Sequence, residues 1–163
     1  FFSIKRVTIP IEERCKFINY VEKKKSLSRL RIFYKHLSKS TKLCIESDIS
    51  PFSLKLLFNS KSFSRLGLLL DVGNTNAHGF FVSDYIKLFP KKIFGIHIKY
   101  RPKFYSKTSR LGKKFNQLEV LIKNFYKLTN CSDITFQTFK SNKRFKEDMT
   151  FSLRNFNNHV QKK

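Results

Sequence analysis

The chain has 163 residues, 40% of them hydrophobic, which is the length of one domain with enough apolar material for a core. Lys and Arg number 34 against 11 Asp and Glu, giving a net charge of +23, and 19 Phe and 6 Tyr stand beside no Trp at all. This length excludes a whole (β/α)8 barrel, which takes about 250 residues, and no apolar run reaches the roughly 18 residues of a membrane-crossing helix.

The chain opens on Phe1 and enters a strand-like stretch over 3–9 at once, followed by Pro10. A processed, truncated or fragmentary chain with something upstream is therefore expected. Ile18, Val21, Leu27, Leu30, Tyr34 and Leu37 trace a helical stripe over 12–38, with a break expected near Ser26. A second strand is expected over 43–48. Ser50-Pro51 then reads as a helix start, a hydroxyl cap followed by Pro at the first helical position. Leu54, Leu57 and Phe58 continue that helix. The third strand, 67–72, contains Leu68-Leu-Leu70, and Ser83 is expected to cap a short helix carrying Tyr85, Ile86 and Phe89. A fourth strand follows over 93–98. Leu118, Leu121, Ile122, Phe125 and Leu128 mark a clear amphipathic helix. A fifth strand over 133–139 and a weaker helix over 143–160 close the chain.

Five strand–helix units in series imply a parallel sheet covered by helices. The nearly continuous apolar runs fit strands buried on both faces. Periodicity leaves an open doubly wound sheet and part of a closed barrel as equal alternatives. No Gly-rich phosphate loop follows the first strand, so a dinucleotide fold has no support. One domain is drawn over 1–163. Cys15, Cys44 and Cys131 have no metal-type spacing and no even count, which suggests a reduced, cytoplasmic setting.

The positive charge has two readings. It raises the expectation of nucleic-acid binding, because basic side chains displace counterions from phosphates. Yet Lys and Arg are spread over every expected helix and loop with no block of five or six like charges. Lys far outnumbers Arg, a pattern that fits A/T-rich coding bias acting on solvated faces, and this is the preferred reading.

Polar residues stand where the strands end, and α/β proteins build their active sites there. Glu46 ends Leu-Cys-Ile-Glu with Asp48 two residues on, Asp71 ends Leu-Leu-Leu-Asp, His97 ends Phe-Gly-Ile-His, and Gln137 ends Ile-Thr-Phe-Gln. Period-two geometry puts His97, Lys99 and Arg101 on one face. Taken singly, each has an ordinary reading: Asp71 as a turn former before Gly73-Asn74, Glu46 as a cap toward Ser50, His97 as a core histidine. Taken in order on successive strand ends, they point to a site. Glu, Asp and His suit a divalent metal such as Mn²⁺, Mg²⁺ or Zn²⁺. Such a metal polarises a carbonyl while a carboxylate moves a proton at the neighbouring carbon. His36, His78 and His159 read as surface residues. Lys140 and Arg144 read as solvated, with contact to a substrate phosphate as the alternative.

The segments Cys44-Ile-Glu-Ser-Asp-Ile-Ser-Pro51, Leu69-Leu-Asp-Val-Gly-Asn74 and Gly95-Ile-His-Ile-Lys-Tyr-Arg101 resemble the sugar phosphate isomerase/epimerase family. That family belongs to the xylose-isomerase-like barrel superfamily, which also contains repair enzymes of the endonuclease IV type. Val7-Thr-Ile-Pro10 resembles its fourth strand, and Arg110-Leu-Gly112 with Phe115 resembles the segment after its seventh. The resemblance implies an α/β fold, a partial (β/α)8 TIM barrel of strands four to eight, and covers nearly the whole chain. It carries the four metal-ligand positions onto Glu46, Asp71, His97 and Gln137. Glu46 becomes the candidate for proton transfer, with His97 beside it as the second catalytic candidate. Asn74, Lys99, Arg101 and Gln137 become the substrate-binding candidates, with Arg101 as anion clamp. Asn74 stands where many relatives place a substrate-contacting His. Two departures stand out. Gln137 replaces the last carboxylate, removing a charged ligand and a proton acceptor, and Tyr100 stands where the family has Asp.

The expected activity is isomerisation or epimerisation of a small phosphorylated or anionic sugar, with no membrane partner. The alternatives are a basic nucleic-acid-binding protein, ribosomal or of the repair type, and a non-catalytic barrel remnant. A half barrel leaves open sheet edges, so missing N-terminal strands or a partner chain are expected to complete it.

Overall fold

A computed structural model describes residues 4–11, 20–104, 107–109, 111, 115–137 and 144–161. Its strands form a five-stranded sheet in the order β1-β2-β3-β4-β5, with helices between them in the chain. The strand order follows the chain order. A doubly wound sheet reverses its order at a switch point, and no reversal occurs among the described strands. This decides the question that periodicity left open, in favour of barrel-type winding. The chain divides into two compact units, Phe1–Leu69 and Leu70–Lys163.

In the first unit β1 (Arg6–Ile11) pairs in parallel with β2 (Lys42–Ser47), in register from Arg6↔Lys42 to Ile11↔Ser47. β2 pairs in parallel with β3 (Leu66–Asp71), from Leu43↔Leu66 to Glu46↔Leu69. Pro10 lies inside β1, which ends at Ile11, two residues beyond the expected strand end. Its missing N–H is tolerated in a strand at a sheet edge. Helix α1 (Tyr20–His36) continues through Ser26 without the expected break; one serine on an exposed helix position costs only a few tenths of a kcal/mol or so relative to alanine. Leu30 and Tyr34 are its buried anchors. The Tyr34 hydroxyl accepts the Arg65 N–H at 2.6 Å, and the Arg65 guanidinium lies over the Tyr34 ring. Helix α2 (Pro51–Phe58) begins as expected: the Ser50 hydroxyl accepts the Ser53 N–H at 3.2 Å and Pro51 opens the first turn. Leu43, Ile45, Leu54, Phe63 and Leu66 are fully buried, and burying each such side chain is worth about 1.5–3 kcal/mol.

In the second unit β4 (Ile93–Ile98) pairs in parallel with the short β5 (Ile134–Phe136), in register from Ile96↔Ile134 to Ile98↔Phe136. The Gln137 N–H donates to the Ile98 carbonyl at 2.9 Å, so the ladder reaches one residue past β5. Of the strand expected over 133–139, Asp133 stands before β5, and 138–139 lie outside the described residues. Helices α3 (Val72–Ala77), α4 (Val82–Leu88), α5 (Asn116–Asn124) and α6 (Phe145–Gln161) complete this unit.

Ser83 does not cap α4. The helix starts one residue earlier, at Val82, whose N–H donates to the Gln117 side-chain oxygen at 2.9 Å. The Gln117 amide nitrogen donates in turn to the Phe80 carbonyl at 3.0 Å. One side chain from α5 thus supplies what a local hydroxyl was expected to supply. Leu118 and Leu121 bury the inner face of α5, and a 3-10 turn over Phe125–Lys127 carries the chain to buried Leu128. Phe156 of α6 meets Phe136 edge-on at 4.9 Å, and the Asn155 amide donates to the Leu111 carbonyl. No helix among the described residues is long and apolar enough to cross a membrane. Cys44 is buried and Cys131 half-buried. Cys15 and Lys140 lie outside the described residues, as does the side chain of His159.

Candidate active site

Strand β3 is apolar and buried along its whole length, and it delivers Asp71 at its end. Asp71 then does two jobs. One carboxylate oxygen accepts the Asn74 N–H at 2.7 Å and caps α3, a six-residue helix that the periodicity did not reveal. The other oxygen meets the Lys99 ammonium at 2.6 Å. The turn-forming reading of Asp71 and the functional one therefore both hold, each on its own oxygen.

Strand β4 carries His97, and Lys99 and Arg101 follow it on the same period-two face. His97 is in register with Thr135 of β5, so Gln137 falls beside Lys99. The Gln137 side chain contacts both of its neighbours there. Its oxygen accepts from Lys99 Nζ at 3.3 Å, and its nitrogen lies 2.9 Å from His97 Nδ1. Asp71, Lys99, Gln137 and His97 thus form a continuous polar chain, one ion pair followed by two hydrogen bonds, across the ends of three strands.

Gly73 makes this packing feasible. A Cβ there would lie 2.4 Å from Lys99 Cγ and 2.8 Å from the Lys99 carbonyl oxygen, closer than side chains pack. The Lys99 stem lies flat on the first turn of α3 because position 73 has no side chain.

A second pair lies beside the first. Arg101 is 8% exposed and Asn74 2%, and Arg101 Nη1 donates to the Asn74 side-chain oxygen. Asn76 donates to the Arg101 carbonyl at 2.6 Å, and the Phe104 N–H donates to the Ala77 carbonyl, so the segment after β4 is strapped onto α3. Two cations and one carboxylate are thereby concentrated at these strand ends, a field suited to an anionic ligand. Tyr100 turns aside, packing edge-on against Phe115 at 5.0 Å.

In the first unit Glu46 is half-buried at the end of β2 and in register with Leu69, with buried Ser47 and Asp48 following it. Asp71 comes two residues after Leu69 on β3. Of the remaining candidates, Arg144 is exposed just before α6, His36 is exposed, and His78 is half-buried against Phe80. Sequence reasoning missed three contributors: Gly73, Asn76 and Gln117. The Asp71-Val-Gly-Asn74 run could have signalled a capped turn. Gln117 pairs with residues 35 and 37 positions away, and no local pattern encodes that.

The strand order defines a (β/α)8-barrel type of winding, present in part. Two solved structures share it. One is the IolI protein with a bound zinc atom, at 18% identity and TM-score 0.72, covering 97% of this chain and 63% of that one. The other is a xylose isomerase domain protein from Alicyclobacillus acidocaldarius subsp. acidocaldarius, at 14% identity and TM-score 0.68, covering 96% of this chain and 64% of that one. The chain therefore spans somewhat under two thirds of each, and at these identities the likeness is one of fold. No protein-family model and no curated protein matches the sequence. Zinc is what the first structure holds; within the second unit, Asp71 and His97 offer a carboxylate and an imidazole, donor types that suit such an ion.

Proposed function

We propose that this chain is part of an isomerase or epimerase that moves a proton beside the carbonyl of a small phosphorylated or anionic sugar. The observation that carries the reading is the polar chain Asp71–Lys99–Gln137–His97, an ion pair and two hydrogen bonds, across the ends of β3, β4 and β5, where barrel enzymes of many chemistries place their reacting groups.

A carboxylate and an imidazole suit Mn²⁺, Mg²⁺ or Zn²⁺, so Asp71 and His97 would be donors to such an ion, with the Glu46 carboxylate at the end of β2 as the further donor that the sequence resemblance implies. When bound, the ion would polarise the sugar carbonyl and its neighbouring hydroxyl. Glu46 is the group assigned to take the proton from the carbon next to the carbonyl. Gln137, an amide, does not share that work. It binds a hydroxyl or orients His97, as its present contact with Nδ1 indicates. Arg101, fixed by Asn74, and Lys99 supply positive charge for the anionic group of the substrate.

The test is solvent exchange. The full chain is incubated with a panel of sugar phosphates in D₂O with added Mn²⁺, and deuterium beside the carbonyl is read by NMR. Enzyme-dependent incorporation is expected, falling by about 10²–10⁴ in Glu46→Gln. Equal incorporation by Glu46→Gln would remove Glu46 from the proton-transfer role. No incorporation with any substrate would favour a non-catalytic barrel.

A further inference from the structure

We propose that Lys99 is a tethered cation that holds the Asp71 and His97 donors closed to a divalent metal. The inference rests on the reading of Asp71 and His97 as metal donors, and it concerns what occupies them first.

Lys99 acts on both donors, in two ways. Its ammonium sits 2.6 Å from one Asp71 oxygen, while the other oxygen is engaged by the Asn74 N–H. A metal ion that takes Asp71 through the outer oxygen has to replace an intramolecular positive charge already there. The second action is relayed through Gln137. A lysine ammonium only donates hydrogen bonds, so its contact at 3.3 Å orients the Gln137 amide with the oxygen toward Lys99. The amide NH₂ then faces His97 Nδ1 at 2.9 Å and donates to it. A neutral imidazole that accepts at Nδ1 carries its proton on Nε2. In that tautomer one ring nitrogen is engaged by Gln137 and the other holds a hydrogen, so neither lone pair is presented to a metal.

Both effects are released by the same event. When Lys99 leaves, the outer Asp71 oxygen loses its ammonium partner and Gln137 becomes free to turn its amide over. The Gln137 oxygen can then accept from an Nδ1–H, which leaves the Nε2 lone pair available. Metal-ligating histidines are commonly oriented in this way by an acceptor on the other nitrogen. Gly73 leaves the room that Lys99 occupies, since any side chain at 73 would collide with the Lys99 stem and carbonyl.

Two variants and one spectrum test this on the full chain. Zinc affinity is measured by competition with a chromophoric chelator, and His97→Gln in each background subtracts zinc bound elsewhere. Lys99→Met is expected to bind zinc roughly 10–100-fold more tightly than the parent, the scale on which residues behind the ligands act. Gln137→Leu, which keeps Lys99 and removes the amide donor from Nδ1, is expected to tighten zinc as well; Gln137→Glu serves the spectrum alone, because a carboxylate at 137 would itself ligate zinc. Gln137→Leu also covers the case in which Lys99→Met does not fold. Independently of any metal, ¹⁵N–¹H correlation spectra of the parent should show neutral His97 with its proton on Nε2, and Gln137→Glu should move it to Nδ1. His97-dependent zinc binding of equal strength in the parent, Lys99→Met and Gln137→Leu would overturn the lock while leaving the metal reading intact. A parent His97 protonated at Nδ1 would also overturn the lock. Absence of His97-dependent zinc binding in all of them would remove the metal reading, and the lock with it.

Discussion

Replacing Gly73 by Ala tests whether the helix α3 and the Lys99 stem are packed as tightly as the structure places them. The new methyl would lie 2.4 Å from Lys99 Cγ and 2.8 Å from the Lys99 carbonyl oxygen. The first contact can be relieved by moving a side chain, but the second involves backbone at the end of β4. Overpacking of this kind costs about 1–3 kcal/mol. Alanine returns about 0.5–1 kcal/mol through its better helix propensity, which leaves a net loss of about 1–2 kcal/mol. For a chain of this size that lowers the melting temperature by roughly 2–8 °C, at about 2–4 °C per kcal/mol. Thermal unfolding of the full chain, followed by circular dichroism, measures it. Repeating the substitution in a Lys99→Ala background separates the two contacts: the cost should shrink, because Cγ is gone, but not vanish, because the carbonyl remains. A Gly73→Ala protein as stable as the parent would refute the close packing of α3 on Lys99.

Other substitutions probe the contacts that set the elements. Gln117→Leu leaves the Val82 N–H and the Phe80 carbonyl without the partner they have now; a loss of at least about 2 kcal/mol is expected in urea unfolding, and no loss would show that α4 is capped otherwise. Ser50→Ala should cost about 0.5–2 kcal/mol and Ser50→Gly only a few tenths, a contrast that a general loss of packing would not reproduce. Burial pushes Lys92 below its ordinary value. The unfolded chain then holds this proton at alkaline pH where the folded chain has released it, so the Lys92 contribution becomes more favourable as pH rises through that window. Lys92→Met should flatten that rise in stability against pH.

Much of the fold was legible in the chain itself. The five strands occur where short apolar runs stand between helical stripes, and the strand ends are marked by Glu46, Asp71, His97 and Gln137. These features are local: a strand buried on both faces must be apolar throughout, and its first polar residue marks where burial stops. The hydroxyl-plus-proline start of α2 is equally local, and Ser50 and Pro51 form it as read. Short elements were harder. Six residues of α3 are too few for a periodic stripe, and its cap, Asp71, was already accounted for as a strand-end residue.

What the sequence by itself determined is therefore the alternation of elements and the identity of the residues that end the strands. Tertiary structure decided the rest, because it depends on groups far apart in the chain. Strand order selected barrel-type winding over a doubly wound sheet, which no periodicity can distinguish. Gln117 replaced Ser83 as the partner of α4 across 35 residues. The contact of Lys99 with Asp71 and Gln137, and of Gln137 with His97, arises only where three strands end side by side. Residue identity supplied a donor set suited to a metal, and the fold put a lysine among those donors.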